Sequence, residues 1–375
     1  MTLPARRKFL LELVKTKSFS GHESAAALLC AQRMRELGYQ HVQIDKVGNV
    51  VGGNYDYRKD PHPDLLLFSH MDTVGGFWLV KHDEQGVSGR GAVDAKGCLA
   101  SYIEAGASMM DAARAGRGEA ASGAGRSSAS PPLKLVVAGV TREEDPTSEG
   151  ANHLLSYLKP RLAVNGEPSN CSGVTLGYKG RILVECHSSG SPMHAGAHAE
   201  NPIEKTIEYY EKLRAHFPRH HAFDSVIFNV THIDYGKRSE LNVIPGKLDF
   251  YIDVRIPPSA DIAKIEHLFL SSAPAGLEVS IIKPSFPGCE LSANHPLARA
   301  LVAAIRSAKL EPRYLKKSGM ADMNLSMALG IPTLAYGPGD SKLDHTDKEF
   351  ISWADYEKAV EVLEHFLQNP ALSAK

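Results

Sequence analysis

Five cysteines, none spaced as C-x-x-C, give no support to thiolate metal ligation or to a disulfide framework. Cys30, Cys98, Cys171, Cys186 and Cys289 are scattered and odd in number, as expected for reduced thiols in a cytoplasmic protein. Charge of one sign is also lacking. Lys plus Arg number 42 against 43 Asp plus Glu, a formal net charge of -1, so neither nucleic acid nor an anionic membrane is expected as a partner. Apolar runs are short and interrupted, well below the ~20 residues of a membrane helix. Glu12 and Lys15 break the N-terminal one, which argues against a secretory signal. There is no G-x-S-x-G nucleophile elbow, so a serine hydrolase of that type is disfavoured, and no repeat of solenoid period.

What is present suits an α/β protein of two domains, because 375 residues exceed one ordinary core. After an opening helix, Ser20 with Glu23 three residues on reads as a capping box for a second helix that ends at Gly38. HVQIDKVGNVVGG reads as a hairpin turning at Gly48-Asn49. LLLF at 65–68, LKLVVAGV at 133–140 and RLAVNG before Glu167 read as buried strands. The Ala/Gly/Ser/Pro-rich stretch 112–132 reads as a solvated loop extension. Past Gly177 the pattern changes to strand, helix, strand, strand with period-two alternation. A separate open-faced α/β sandwich is the expectation there. From His295 the helix and buried-strand pattern resumes. The reading is a catalytic α/β domain over 1–176 and 290–375, interrupted by an inserted domain over 177–289.

Acidic and imidazole side chains recur where these strands give way to loops. LLLFSHMDTVGG delivers His70 and Asp72, GRGAVDAKG carries Asp94, TREED carries Glu143 and Glu144, NGEPS carries Glu167, and LDHTDKE carries His345. Open α/β sheets bind ligands at the C-terminal ends of their strands. Two imidazoles and three carboxylates form an N/O ligand field suited to two divalent ions, zinc foremost. A water held between such ions ionises near neutral pH. One further carboxylate must stay off the metal to take and pass on a proton. Glu143 and Glu144 point in different directions, so one can ligate while the other faces the substrate. Asp72, two residues past His70, is expected to orient that imidazole.

In SHMDTV, GRGAVDAKG, the Glu pair followed by TSEG, NGEPS and a late histidine, the chain resembles the M20 family of dinuclear zinc amidohydrolases. The resemblance implies a zinc-dependent exopeptidase-like catalytic domain with a central mixed sheet, plus an inserted α/β sandwich lid through which the protein forms a homodimer. It assigns His70, Asp94, Glu144, Glu167 and His345 as ligands of two zinc ions, with cobalt as a substitute. Asp94 becomes the bridge, Asp72 the acid behind His70 and Glu143 the general base. SSGSPMHAGAHAENP resembles the lid segment whose histidine polarises the scissile carbonyl. His194 is the choice there and His198 the rival. ELNVIPG and DVRIPP resemble the substrate-binding Asn and Arg, here Asn242 and Arg255. SGMADMN adds Ser318 and Gly319 to that set.

Within the family, GEPSNCSGVTLGYKGR and AYGPGDSKLDHTDKE look most like the branch that frees lysine or ornithine from the C-terminal glutamate of a small acidic amino-group carrier protein in lysine and arginine biosynthesis. The nearest rival is an acetylornithine or acetyl-lysine deacetylase. The rival from another class is a non-catalytic binding protein that keeps the fold.

Overall fold

A computed structural model describes residues 3–121, 133–217, 222–235 and 241–373. The chain divides into two compact units. One comprises Met1–Gly177, Leu291–Lys316 and Ala321–Lys375, and the other Tyr178–Glu290 with Lys317–Met320.

The first unit is built on a mixed sheet. Seven of its strands lie in the spatial order Gln40–Ile44, Val50–Gly53, Leu135–Val140, Leu65–His70, Leu162–Gly166, Thr333–Tyr336 and Gly173–Tyr178, and Arg313–Lys317 also pairs with the last. The central four are parallel, and Leu65–His70 and Leu135–Val140 are buried at every position. This explains their unbroken apolar sequences, since both faces are covered. The Lys96–Ala121 helix packs on these strands and on the Ala5–Lys15 and Trp353–Leu367 helices. Register decides the rest. His70 sits beside Val140, Phe68 beside Asn165, and Tyr336 beside Gly166. The strands therefore end together, and the loops carrying Asp72, Glu143, Glu144 and Glu167 leave from one edge.

That helix also corrects a sequence expectation. It runs through residues 112–121, read above as loop, where five alanines with arginine and glutamate favour helix and outweigh Gly116 and Gly118. Residues 122–132 lie outside the described residues. No described helix is long and apolar enough to cross a membrane.

The second unit is a four-stranded antiparallel sheet ordered Ile227–Asp234, Lys247–Ile256, Gly180–Ser189 and Glu278–Phe286. The Pro202–His216 and Ile262–Ser271 helices pack against it. Ile182, Val184, Cys186, Phe250, Ile252 and Val254 alternate inward to meet Tyr209, Leu213, Ile265 and Phe269. Their neighbours Arg181, Glu185, His187, Asp249 and Tyr251 are only partly buried, the period-two pattern of a sheet covered on one face. The second helix and the fourth strand go beyond the sequence reading. Exposed lysines and glutamates break up the apolar signal of both.

Candidate metal centre

The loop after Leu65–His70 is pinned by the N-terminal segment. Ser18 Oγ donates to the Met71 carbonyl (2.7 Å), Thr73 N–H to the Ser18 carbonyl (2.9 Å) and Ser20 Oγ to Asp72 Oδ2 (2.7 Å). Glu23 accepts from the Gly21 and Arg142 N–H groups at 2.8 and 3.2 Å. The expected capping box is therefore absent: the helix spans Ser24–Glu36, with Glu23 at its N-cap making no side-chain cap bond. Water can satisfy a helix end, but buried polar groups beside the strand ends must find protein partners. Ser20 and Glu23 go to the latter.

Asp72 is fully buried, and its carboxylate accepts the main-chain N–H of both glutamates, Glu143 at Oδ1 (3.1 Å) and Glu144 at Oδ2 (3.0 Å). The His70 imidazole lies closer to the Asp72 main-chain carbonyl, 2.9 Å from Nδ1, than to the carboxylate at 3.6 Å. Asp72 thus fixes the imidazole chiefly through its backbone, and the Glu143-Glu144 turn through its side chain. Burial opposes its ionisation, yet the His70 imidazole and these donors hold its carboxyl below the ordinary carboxylate range.

Four of the sequence-predicted ligands meet directly. Asp94 Oδ1 lies 3.1 Å from His70 Nε2, and Asp94 Oδ2 lies 3.1 Å from His345 Nε2. Glu144 Oε1 is 3.0 Å from the same His345 nitrogen. Ligand atoms of His70, Asp94 and Glu144 all fall within 4.8 Å of one another, close enough to belong to one metal centre. Oxygen and imidazole nitrogen without thiolate is a set that zinc and its neighbours accept. Glu167 is buried at the end of Leu162–Gly166, and its charge bears on Glu143.

The electrostatics mark the cluster as built for positive charge. Asp94 and Glu144 push His345 up to about 10. Asp94 is driven well below the carboxylate range, the two imidazoles outweighing its burial. Glu143 goes the other way. Burial raises it well above the usual value against the pull of His70, and the carboxylates of Glu167, Asp322 and Glu144 add to the rise.

Asp322 is a further buried carboxylate that the sequence reading did not single out. It is buried at the start of the Asp322–Ala328 helix and is pushed up to about 7, by burial first and by Asp72 against the pull of His70. Its only sequence signal is a carboxylate set between the apolar Ala321 and Met323.

The remaining sequence-predicted residues belong to the second unit. Met193–His194 pairs antiparallel with Val243–Ile244, placing His194 beside Val243, and Ala195 N–H donates to the Asn242 carbonyl at 2.7 Å. His194 and Asn242 therefore share one ribbon. His194 is exposed, and its Nδ1 accepts the Gly196 N–H at 3.1 Å, which leaves the ring proton on Nε2. His198 is exposed a few residues further on. Arg255 donates from Nε and Nη2 to Asp253 at 2.5 and 3.1 Å, and Arg181 Nε joins the same carboxylate at 2.9 Å. The Nη1 edge of Arg255 takes no part in this pair. Ser318 and Gly319 are exposed in Lys317–Met320, which groups with this unit instead of with the ligands.

A mixed sheet whose parallel strands end together in histidine, aspartate and glutamate, with a second α/β unit set into the chain, is the arrangement of a metal-binding α/β protein. Residues 66–369 match Peptidase family M20/M25/M40, and the chain belongs to that family. It is 34% identical over 371 residues to a LysW-lysine hydrolase of Deinococcus radiodurans, covering 96% of this chain and 95% of that one. It is 32% identical to a LysW-lysine/LysW-ornithine hydrolase of Saccharolobus solfataricus, over 77% of this chain and 76% of that one. Among solved structures its fold is similar to an M20 family metallo-carboxypeptidase, Sso-CP2, from Sulfolobus solfataricus. That match has a TM-score of 0.76 and 17% identity, over 97% of this chain and 99% of that chain.

Proposed function

We propose that this hydrolase cleaves the amide joining lysine or ornithine to the C-terminal glutamate side chain of a small acidic amino-group carrier protein, as a cytoplasmic homodimer using two zinc ions. The observation that carries the two-ion reading is Asp94, whose two oxygens face two different histidines at equal distance. One ion would be held by His345, Glu144 and Asp94, and the other by His70, Glu167 and Asp94. Bound there, the ions would supply Lewis-acid polarisation of the scissile carbonyl and acidify the attacking water. The substrate reading is supported by relatives matched along most of their length and named for LysW-linked substrates.

The rest of the chemistry falls to the chain's own side chains. Glu143, on the Asp72-anchored turn beside the ligand cluster, takes the water's proton and gives it to the departing amine. His194 presents Nε2–H to the carbonyl oxygen as negative charge develops on it. Arg255 offers its guanidinium to the α-carboxylate of the released amino acid, with Asn242, Ser318 and Gly319 beside the substrate.

Elemental analysis after gentle dialysis is expected to find about two divalent ions per chain, and strong chelation to abolish activity. Absence of transition metal, with activity untouched by chelation, overturns the reading. His194→Ala is expected to lower kcat more than it raises KM, with a loss of about 3 kcal/mol, because its partner charge exists only near the transition state. Mixing it with Glu143→Gln protein under subunit exchange restores activity if His194 acts across a dimer. Without restoration it acts within its own chain, and a full effect from His198→Ala would transfer the role.

A further inference from the structure

One buried ion pair beside the ligand cluster is not used in the chemistry above. Arg90 and Glu349 are both buried, and Arg90 Nη1 donates to Glu349 Oε1 at 2.5 Å. Each stands on a loop that carries a metal ligand: Arg90 is four residues before Asp94, and Glu349 four after His345. Their remaining bonds run crosswise. Glu349 Oε2, from the His345 loop, accepts the N–H groups of Gly91 (2.9 Å), Val93 (3.2 Å) and Asp94 itself (3.4 Å). Arg90, from the Asp94 loop, donates to the carbonyls of Thr346 (3.2 Å) and His345 itself (3.4 Å). The guanidinium is capped by the Trp78 ring, 4.6 Å from its centroid.

The backbone shows why a clasp is needed at that point. His345 has φ +62°, in the left-handed region that a non-glycine residue holds only where its surroundings enforce it. That conformation accompanies an imidazole set against Asp94 and Glu144. A buried ion pair adds little net stability over a well-packed apolar pair. It does fix the relative position of two loops through bonds that apolar groups cannot make.

We propose that Arg90 and Glu349 are positioning residues that hold the His345 loop in register with Asp94, so that the ion bound by His345, Glu144 and Asp94 finds its ligands already assembled. This rests on the two-ion reading above. The ion on the His70 side depends on the clasp less, because His70 is held by its own strand and by the Asp72 carbonyl.

Zinc binding to metal-stripped protein, followed calorimetrically, tests this without reference to turnover. Glu349→Gln keeps the volume but cannot accept hydrogen bonds on both sides. It is expected to weaken one zinc site about 10–100-fold, the usual effect of losing an outer partner of a metal ligand, and to leave the other near wild type. At stoichiometric zinc kcat should fall with KM little changed, and excess zinc should restore it. Arg90→Lys, which keeps charge but not the forked reach to two carbonyls, should show the same asymmetry more weakly, and serves if Glu349→Gln does not fold. Both zinc sites weakened equally, in step with a lower unfolding temperature of the metal-free protein, would make the pair merely structural and overturn the proposal. Two unchanged sites would overturn it as well. Wild-type protein that binds a single zinc would instead overturn the two-ion reading, and this proposal with it.

Discussion

Replacing Glu143 by glutamine is expected to lower kcat by about three powers of ten while both ions stay bound, since positioned proton transfer contributes on the order of 10²–10⁴-fold. Replacing Glu144 in the same way should lower metal affinity first, and activity only through it. The two residues are adjacent, and Asp72 holds both of their N–H groups, so the difference lies in their side chains. Glu144 reaches into the ligand cluster at 3.0 Å from His345, whereas Glu143 is raised well above the carboxylate range by burial and by neighbouring carboxylates. A carboxyl lifted in this way is the stronger base, taking the water's proton more readily and keeping it until the leaving amine accepts it. Metal content measured beside kcat checks the assignment. Metal loss in Glu143→Gln with retention in Glu144→Gln would exchange the two roles.

Carrier-linked lysine should be hydrolysed with a kcat/KM at least about a hundredfold above that of acetyl-lysine, equivalent to about 3 kcal/mol of transition-state binding. An acetyl group offers little beyond the scissile carbonyl. A carrier protein adds contacts remote from the chemistry, and such binding can be used to orient the amide against the catalytic groups. If an acidic carrier is guided by charge, its kcat/KM should fall with added salt while that of acetyl-lysine barely responds. A parallel assay of carrier-linked lysine, carrier-linked ornithine, acetyl-lysine and acetylornithine with one zinc-loaded preparation decides the matter. Equal or better turnover of the acetylated amino acids would leave a general acylamino-acid deacetylase.

The positions of the candidate ligands were legible because buried parallel strands have a strong one-dimensional signature. Each apolar run announces where it ends, and the residue just past the end is the one presented to a ligand. His70, Glu143, Glu144 and Glu167 could be read in this way, and His345 and Asp94 from loops rich in glycine or acidic residues. The period-two pattern likewise separated the inserted sheet from the parallel one. Where local composition competes with context, the sequence misleads. Ser20 and Glu23 have the spacing of a capping box, yet their side chains serve Asp72 and the Arg142 backbone instead. Alanine-rich residues 112–121 look like linker but continue a helix that packs on the sheet.

The sequence by itself determined the donor types, their order and their attachment to strand ends, because those depend on periodicity and residue chemistry within single segments. Only the tertiary structure decided which atoms meet. That Asp94 faces two histidines follows from the convergence of two loops remote in sequence. That Asp72 grips the Glu143-Glu144 turn follows from the register between Leu65–His70 and Leu135–Val140. Arg90 finds Glu349 for the same reason. Partners of buried polar groups are set by whatever the packed chain brings within hydrogen-bond reach, and no local pattern encodes that choice.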